Sequence, residues 1–131
     1  MGRSSQYCGA KVTISLHDAS VGVYVPYLRN LSALLDHAEA HARARKLDPD
    51  VLLGMRLAPN MYSLRQQVGE ANRHVVLSCA WLAGCAPPVF PDASIDIAGL
   101  KARIAATIDF VQGLPREVID AATDMNVVFT F

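Results

Sequence analysis

The chain has 131 residues, and its 12 basic side chains balance its 12 acidic ones, so its formal net charge is zero. One domain of this length buries a real core, and a composition that is 52% apolar is typical of globular proteins. With no cluster of unopposed Lys or Arg, non-specific binding to nucleic acid lacks its electrostatic driving force.

No stretch of the sequence predicts a membrane span, and the first residues lack the apolar core of a secretory signal. We therefore expect a cytoplasmic protein that binds no membrane. The three cysteines, Cys8, Cys79 and Cys85, are odd in number and form no CxxC pair. This pattern indicates reduced thiols rather than a disulfide framework or a zinc knuckle.

Residues 11–46 are predicted to form a short strand and then a long helix. Apolar and polar side chains alternate over residues 11–16, which is typical of extended structure. From residue 24, apolar side chains recur at steps of three and four, and this stripe predicts an amphipathic helix that ends near Lys46. Pro26 falls inside the segment, so we expect a kink or a late helix start. The stripe consists of Leu28, Leu31, Leu35, Ala38 and Ala42.

A short helix and a second long helix are predicted next. Asp48 supplies a capping side chain and Pro49 suits the first helical position, which predicts a short helix over residues 49–54. The second long helix is expected from residue 61 or 63 to residue 83. Gly84 follows it, and glycine readily adopts the left-handed conformation that ends many helices.

The last third of the chain is predicted to hold one more long helix. The proline-rich residues 86–91 are expected to cross as an extended link. The third long helix then runs from residue 94 or 95 to about Gly113. A short helix is expected near residues 115–121, and the β-branched and aromatic residues 126–131 predict a short C-terminal strand.

Three long amphipathic helices predict an all-α, up-and-down helical bundle. An apolar stripe on each of these helices needs more cover than the two short helices supply. Either a fourth bundle helix or another chain must provide it, and an unpaired terminal strand also invites association. We therefore expect a homodimer or a higher assembly.

Several segments resemble the bacterial DUF1993 family, a domain of unknown function. Among them are SLHDASVGVYVPYLRNLSALLDHAEAHA, DPDVLLGMRLAPNMYSLRQQVGEA and LKARIAATIDFV, and residues 56–68, RLAPNMYSLRQQV, are the most specific part. The resemblance extends over about residues 13–131 and implies the four-helix bundle of the DinB/YfiT-like proteins. Residues 1–11 are then an N-terminal extension, and residues 12–131 are the bundle domain.

The sequence departs from the usual family pattern at its C-terminal end. Members of the family usually continue past a strand like the one predicted at residues 126–131 into a second strand and a last helix. This sequence has no such segment. We therefore expect a C-terminally incomplete domain whose last bundle helix is absent, which agrees with the shortage of cover inferred from the apolar stripes.

DinB-like enzymes typically hold nickel or zinc with three histidines from separate helices, and by resemblance the candidate ligands are His17, His41 and His74. At ~100° per residue, His37 lies opposite the apolar stripe and His41 only at its flank, as expected for a solvated helix face. Where those enzymes carry a ligand on the second helix, this chain has Gln67, an amide that metals seldom choose. We therefore expect no cofactor. A zinc- or nickel-dependent transferase or hydrolase, completed by another chain, is the alternative.

The start of the second long helix is the better candidate for a binding site. Its polar side chains suit a carboxylate or another small anion. In the alternative interpretation, Asn60 and Ser63 only cap the helix, while the arginines pair with Asp48, Asp50 or Glu70. The candidate residues are Arg56, Asn60, Tyr62, Arg65 and Gln67.

The cysteines add no obvious nucleophile. Cys79 lies within an apolar stripe, and Cys85 follows the C-terminal end of a helix, whose dipole does not favour a thiolate. The sequence as a whole predicts an uncharacterised, dimeric DinB-like bundle protein that binds a small molecule and no nucleic acid.

Overall fold

The computed structural model describes residues 13–90 and 96–126, and the regular structure of these residues is helical. This confirms the predicted all-α bundle. The predicted short helices near 49–54 and 115–121 are also confirmed. The elements are α1 (Leu16–Ala19), α2 (Val21–Ala44), α3 (Pro49–Gly54), α4 (Leu64–Leu82), α5 (Ile97–Gln112) and α6 (Arg116–Asp120), followed by a 3-10 turn, Ala121–Asp124.

Side-chain caps set the starts of four helices. The Ser15 hydroxyl and the Asp48 and Asp96 carboxylates each accept a hydrogen bond from a backbone amide in the first turn. Ser63 caps α4 in the same way, and Gln66 bonds back to the amide of Ser63, which completes a capping box. Caps of this kind are worth about 1 kcal/mol each, so these short polar residues fix where the helices begin.

Three predictions about individual elements differ from the structure. The strand predicted over residues 11–16 is wrong where the structure describes it, because Ser15 caps a helix that begins at Leu16. Pro26 does not delay the long helix, which already begins at Val21. The third long helix starts at residue 97 rather than 94 or 95, because Asp96 is its cap. Most of the predicted terminal strand, residues 127–131, lies outside the described residues.

Two long helices end in the same hydrogen-bonded motif. After α2, the amides of Lys46 and Leu47 donate to the carbonyls of Arg43 and Ala42. Gly84 and the residue after it make the equivalent pair of bonds at the end of α4. The second residue after each helix is left-handed, with φ of 54° at Lys46 and 66° at Gly84. Glycine adopts this conformation without strain, whereas a lysine does not.

The core lies between α5 and the two other long helices. Helix α5 packs along both α2 and α4, while α2 and α4 contact each other much less. The long helices therefore occupy three corners of a square, with α5 at the corner between the other two. The fully buried side chains include Leu35, Leu53, Val68, Leu100, Ile104, Val111 and Ile119.

The directions of the long helices follow from contacts near their ends. Helix α4 begins beside α3, which follows the end of α2, so α4 runs antiparallel to α2. Lys101, early in α5, pairs with Asp36 in the second half of α2. Helix α6, which follows α5, packs on α1, at the start of α2. Helix α5 therefore runs antiparallel to α2 and in the same direction as α4.

Polar contacts join α1 to α6. The amide of His17 donates to Asp120 at 2.8 Å, and Nη2 of Arg116 lies 2.9 Å from Oδ2 of Asp18 and 3.0 Å from Oγ of Ser15. The hydrogen bond from Arg116 is the largest cause of a lowered pKa at Asp18. These contacts hold the start of the described chain to its last helix.

None of the described helices combines the length and the apolar character that crossing a bilayer requires.

Candidate functional site

The best candidate for a binding site is a polar pocket between the first half of α4 and the first half of α5. Its volume is about 300 Å³. The guanidinium groups of Arg65 and Arg73 come from α4, and that of Arg103 comes from α5. Glu70 is the single carboxylate of the lining, so the positive groups outnumber the negative one by three to one. We call this the arginine pocket; Tyr62, Gln66 and Gly69 complete its lining.

Two of the three guanidinium groups have carboxylate partners. Nη2 of Arg65 lies 3.1 Å from Oδ1 of Asp50 on α3, and Nη1 of Arg73 lies 3.1 Å from Oε2 of Glu70. Arg103 has no ion pair within residues 13–90 and 96–126, and its side chain is half-buried. Among the three arginines of the lining, Arg103 is therefore the one without a carboxylate partner in the described residues.

Two arginines of the lining also carry a donor that the described protein leaves unused. Nε of Arg65 and Nε of Arg103 are both buried, and neither has a hydrogen-bond partner among the described residues. A buried charged donor without a partner costs free energy, because it has lost the hydrogen bonds that water would supply.

Gly69 keeps one side of the pocket open. It lies on α4 between Arg65 and Arg73, and a Cβ added there would meet no atom within 4 Å. The space above this glycine is therefore free, although a glycine inside a helix costs about 0.5–1 kcal/mol relative to alanine. A larger side chain at this position would extend into the pocket without removing any of its charges.

Backbone amides at the start of α4 are largely occupied. The amide of Leu64 donates to the carbonyl of Met55, that of Gln66 to the Ser63 hydroxyl, and that of Gln67 to the Ser63 carbonyl. The prediction of an anion site at this helix start therefore needs a different chemical basis. The available donors are side-chain guanidinium groups rather than helix-terminal amides.

The five residues predicted for ligand binding divide between this pocket and its surroundings. Tyr62 and Arg65 line the arginine pocket. Arg56 and Gln67 instead donate to the carbonyls of Met61 and Tyr62, both at 3.0 Å, and so brace the loop before α4. Asn60 lines a neighbouring depression with Tyr62 and Gln67. Arg65 also makes the ion pair with Asp50 that the alternative interpretation predicted.

Arg73 and Arg103 were missed in the sequence. Arg73 lies two turns beyond Arg65, so the helical period alone could have placed it near the same face of α4. Arg103 belongs to a different helix, and no local pattern connects it with α4. Its position depends on the direction in which α5 packs, which is a tertiary property.

The three candidate metal ligands lie apart. His17 is in α1, before the start of α2, and His41 is in the last turns of α2, roughly 30 Å farther along at ~1.5 Å per residue. His74 is exposed on α4, 3.8 Å from Oε2 of Glu70. Within the described residues, no three His, Cys, Asp or Glu side chains gather closely enough to hold a metal ion. These histidines therefore do not fit the three-histidine site that the resemblance implies.

His37 and Cys79 have structural environments. His37 is exposed on α2, as the helical period predicts. The Cys79 thiol is fully buried in the core, and burial raises its pKa to about 11. Such a thiol is almost entirely protonated at neutral pH and is therefore a poor nucleophile.

Comparison with known proteins gives a family and a fold. A family model described as "Domain of unknown function (DUF1993)" matches residues 16–131. A crystal structure of a DinB family member protein from Shewanella denitrificans is similar, with a TM-score of 0.75 and 34% sequence identity. The match covers 79% of this chain and 60% of that one, so this chain spans less than two thirds of the solved structure. No curated protein matches the chain.

Proposed function

Because the chain belongs to the DUF1993 family, whose description names no activity, we propose a function from the site itself: the protein binds a small dianion in the arginine pocket. The observation that carries this proposal is that three arginines from two helices line one pocket in which Glu70 is the single carboxylate. The ligand class consists of phosphate monoesters and short dicarboxylates.

Charge and geometry both favour an anion with several oxygen atoms. Guanidinium groups present paired N–H donors that match carboxylate and phosphate oxygens. Arg103 has no partner carboxylate in the described chain. Within the lining, three guanidinium groups face one carboxylate, and the ion pair of Arg65 with Asp50, outside the lining, reduces the excess to one positive charge. A ligand with several anionic oxygens can still bind more than one guanidinium group.

The size of the pocket limits the ligand. A volume of about 300 Å³ lies at the lower end of the range for small-molecule sites. The Tyr62 ring provides an apolar face beside the charges. The open space above Gly69 leaves room for a short carbon chain or a sugar-sized group.

Isothermal titration calorimetry at low ionic strength tests the proposal, with inorganic phosphate and succinate as probes and acetate as the monoanion. We expect saturable binding of one dianion per chain and much weaker binding of acetate. Arg103→Ala should lower the affinity for phosphate by about 10-fold or more, because a hydrogen bond to a charged group is worth about 1.5–3 kcal/mol.

Arg43→Ala is the matched control. Arg43 is exposed on α2 and pairs with Glu39, outside the pocket, so this variant removes the same net charge elsewhere. Its affinity should stay within about 2-fold of the wild-type value, since exposed charges are screened by salt. Equal losses in both arginine variants, or no saturable binding of either dianion, would contradict the proposal.

Gly69→Leu tests the location without changing the charge. Leucine favours a helix more than glycine does, so the free energy of unfolding should not fall. The leucine side chain would occupy the pocket and prevent binding. If this variant binds phosphate as tightly as the wild type, the ligand binds elsewhere.

A further inference from the structure

The lining of the arginine pocket has an inner and an outer part. Arg65, Gly69 and Arg73 follow one another at steps of four residues, so they form one row along α4. The row on the core side of them consists of the buried residues Val68, Asn72 and Val76. On the opposite side lie Gln66 and Glu70, one residue farther round the helix. Glu70 therefore lies on the solvent side of the pocket.

The inner part suits the anionic group of a ligand. Arg103 of α5 has no carboxylate partner in the described residues. Arg65 pairs with Asp50 through one nitrogen, Nη2, and keeps other N–H donors. Arg73 is already paired with Glu70. An anionic group is therefore expected to bind Arg103 and Arg65, on the inner side of the pocket.

An inorganic anion alone would leave much of the pocket unfilled. A phosphate ion is small, whereas a volume of about 300 Å³ is already within the range of sites that hold whole small molecules. The open space above Gly69 adds to the room beside the arginines. A ligand that fills the pocket therefore carries a larger group on its anionic end, and this group must lie against the outer part of the lining.

The outer part offers hydrogen-bonding groups that the described residues leave unused. Oε2 of Glu70 accepts from Arg73 at 3.1 Å, whereas Oε1 has no such partner. Oε1 of Gln66 accepts from the amide and the hydroxyl of Ser63, so the NH2 group of Gln66 is available. The Tyr62 hydroxyl also makes no hydrogen bond within the described part of the chain. Hydroxyl groups both donate and accept, so they suit this surface better than an alkyl chain does.

Glu70 also discriminates between kinds of ligand. The second carboxylate of a short dicarboxylate would approach the Glu70 carboxylate, and like charges repel each other. A hydroxyl at the same place carries no charge and donates to the carboxylate in a charge-assisted hydrogen bond. Glu70 therefore favours a ligand with one anionic end and one hydroxylated end.

We propose that the ligand is a phosphate monoester of a polyol or a sugar, and that one of its hydroxyls donates to Oε1 of Glu70; this inference rests on the dianion site proposed above. The phosphoryl group binds Arg103 and Arg65, and the carbon chain extends outward past Gly69. Glu70 then determines the specificity of the pocket, while its other oxygen holds Arg73 in place.

Two esters that differ only in their hydroxyl groups test the proposal. Glycerol 3-phosphate and propyl phosphate have the same phosphoryl group and the same carbon chain length, but only the first carries hydroxyls. In calorimetry at low ionic strength, the wild type should bind glycerol 3-phosphate about 10-fold more tightly, as expected for one hydrogen bond to a charged group. Equal, saturable binding of both esters would overturn this proposal and leave the dianion site intact. No saturable binding of either ester would contradict the site as well.

Glu70→Ala identifies the acceptor. The ratio of the two dissociation constants should fall from about 10 to below about 2, because the hydroxyl loses its charged partner. The ratio is the readout, since the substitution also frees Arg73 and should tighten the binding of both esters. Far-UV circular dichroism should show unchanged helix content, because alanine favours a helix and Glu70 is not part of the core.

Glu39→Ala is the matched control. Glu39 pairs with Arg43 on α2, outside the pocket, so this variant removes the same charge elsewhere. It should keep the ratio near 10. An unchanged ratio in Glu70→Ala, or an equal fall in both variants, would overturn Glu70 as the acceptor.

Succinate tests the repulsion by Glu70 separately. Its second carboxylate would lie at the outer end of the pocket. Glu70→Ala should therefore tighten the binding of succinate about 2–5-fold more than it tightens the binding of propyl phosphate. Equal gains for these two ligands would show that Glu70 does not face the far end of the ligand, and would overturn its role in specificity.

Discussion

The ion pair between Arg65 and Asp50, with 3.1 Å between Nη2 and Oδ1, ties the first turn of α4 to α3 and partly neutralises a side chain of the arginine pocket. Asp50→Asn keeps an acceptor for Arg65 and removes the negative charge. We expect phosphate to bind about 2–5-fold more tightly, because the Asp50 carboxylate would no longer repel it. The gain is small because solvent screens this repulsion. Calorimetry at low salt measures the change. Asp109→Asn, an exposed substitution on α5, is the charge-matched control, and an equal gain there would contradict this explanation.

Substitutions at Lys46 and Gly84 should change the free energy of unfolding in opposite directions. Lys46→Gly should raise the free energy of unfolding by about 0.5–1 kcal/mol, because it relieves the left-handed strain at the end of α2. Gly84→Ala should lower it by about 1 kcal/mol, because alanine is strained at a positive φ. No atom lies within 4 Å of the added Cβ, so the loss should come from the backbone conformation alone. Urea unfolding measures both changes. A loss of stability in Lys46→Gly would show that the lysine side chain makes a compensating contribution.

The contact between Asp18 and Arg116 predicts a pH-dependent contribution to stability. The pKa of Asp18 is lowered in the folded chain from its ordinary value of 3.8, chiefly by the hydrogen bond from Arg116. A lowered carboxyl pKa stabilises the folded state above the unfolded value, and this contribution disappears as pH falls through the folded pKa. The difference in Tm between wild type and Asp18→Asn should therefore be largest near neutral pH and should shrink below 3.8.

Glu117→Gln provides the comparison for that experiment. Glu117 is exposed on α6 close to the same contact. Its Tm difference from the wild type should stay small across the same pH range. Salt should reduce the Asp18 effect, because both partners are exposed to solvent.

The cysteines of α4 and the following loop should react at very different rates. Cys85 is exposed, whereas Cys79 is fully buried with its pKa raised to about 11. In a Cys8→Ser chain, a thiol reagent at neutral pH should modify Cys85 rapidly and Cys79 only after the bundle opens. Cys79→Ala should eliminate the slow phase and leave the fast one. Two fast phases in the folded protein would contradict the buried position of Cys79.

Local chemistry explains which parts of the fold the sequence could predict. Asp48 beside Pro49, and Ser63 three residues before Gln66, mark helix starts through bonds within one turn. The start of α5 was placed too early because Ser94 and Asp96 both suit a cap, and the sequence offers no rule to choose between them. The helix at Leu16 was missed because alternation over a few residues is also compatible with a single capped turn.

The candidate site was only partly predictable. Tyr62 and Arg65 lie within a stretch that its polar composition and family resemblance already singled out. Arg103 is separated from them by a link and by the packing of another helix. Only the shared direction of α4 and α5 brings its guanidinium into the same pocket. The sequence could therefore predict one wall of the site but not the other.

The shared direction of α4 and α5 also has a consequence for the order of folding. Two consecutive helices that run the same way cannot form as a local hairpin, because the chain must first return along the length of α4, about 28 Å at 1.5 Å per residue. Contacts of α2, α3 and α4 span shorter connections and should form earlier, whereas the docking of α5 must first overcome the closure entropy of the link. The arginine pocket needs both walls. We therefore expect anion binding to appear only in the final, slowest phase of refolding.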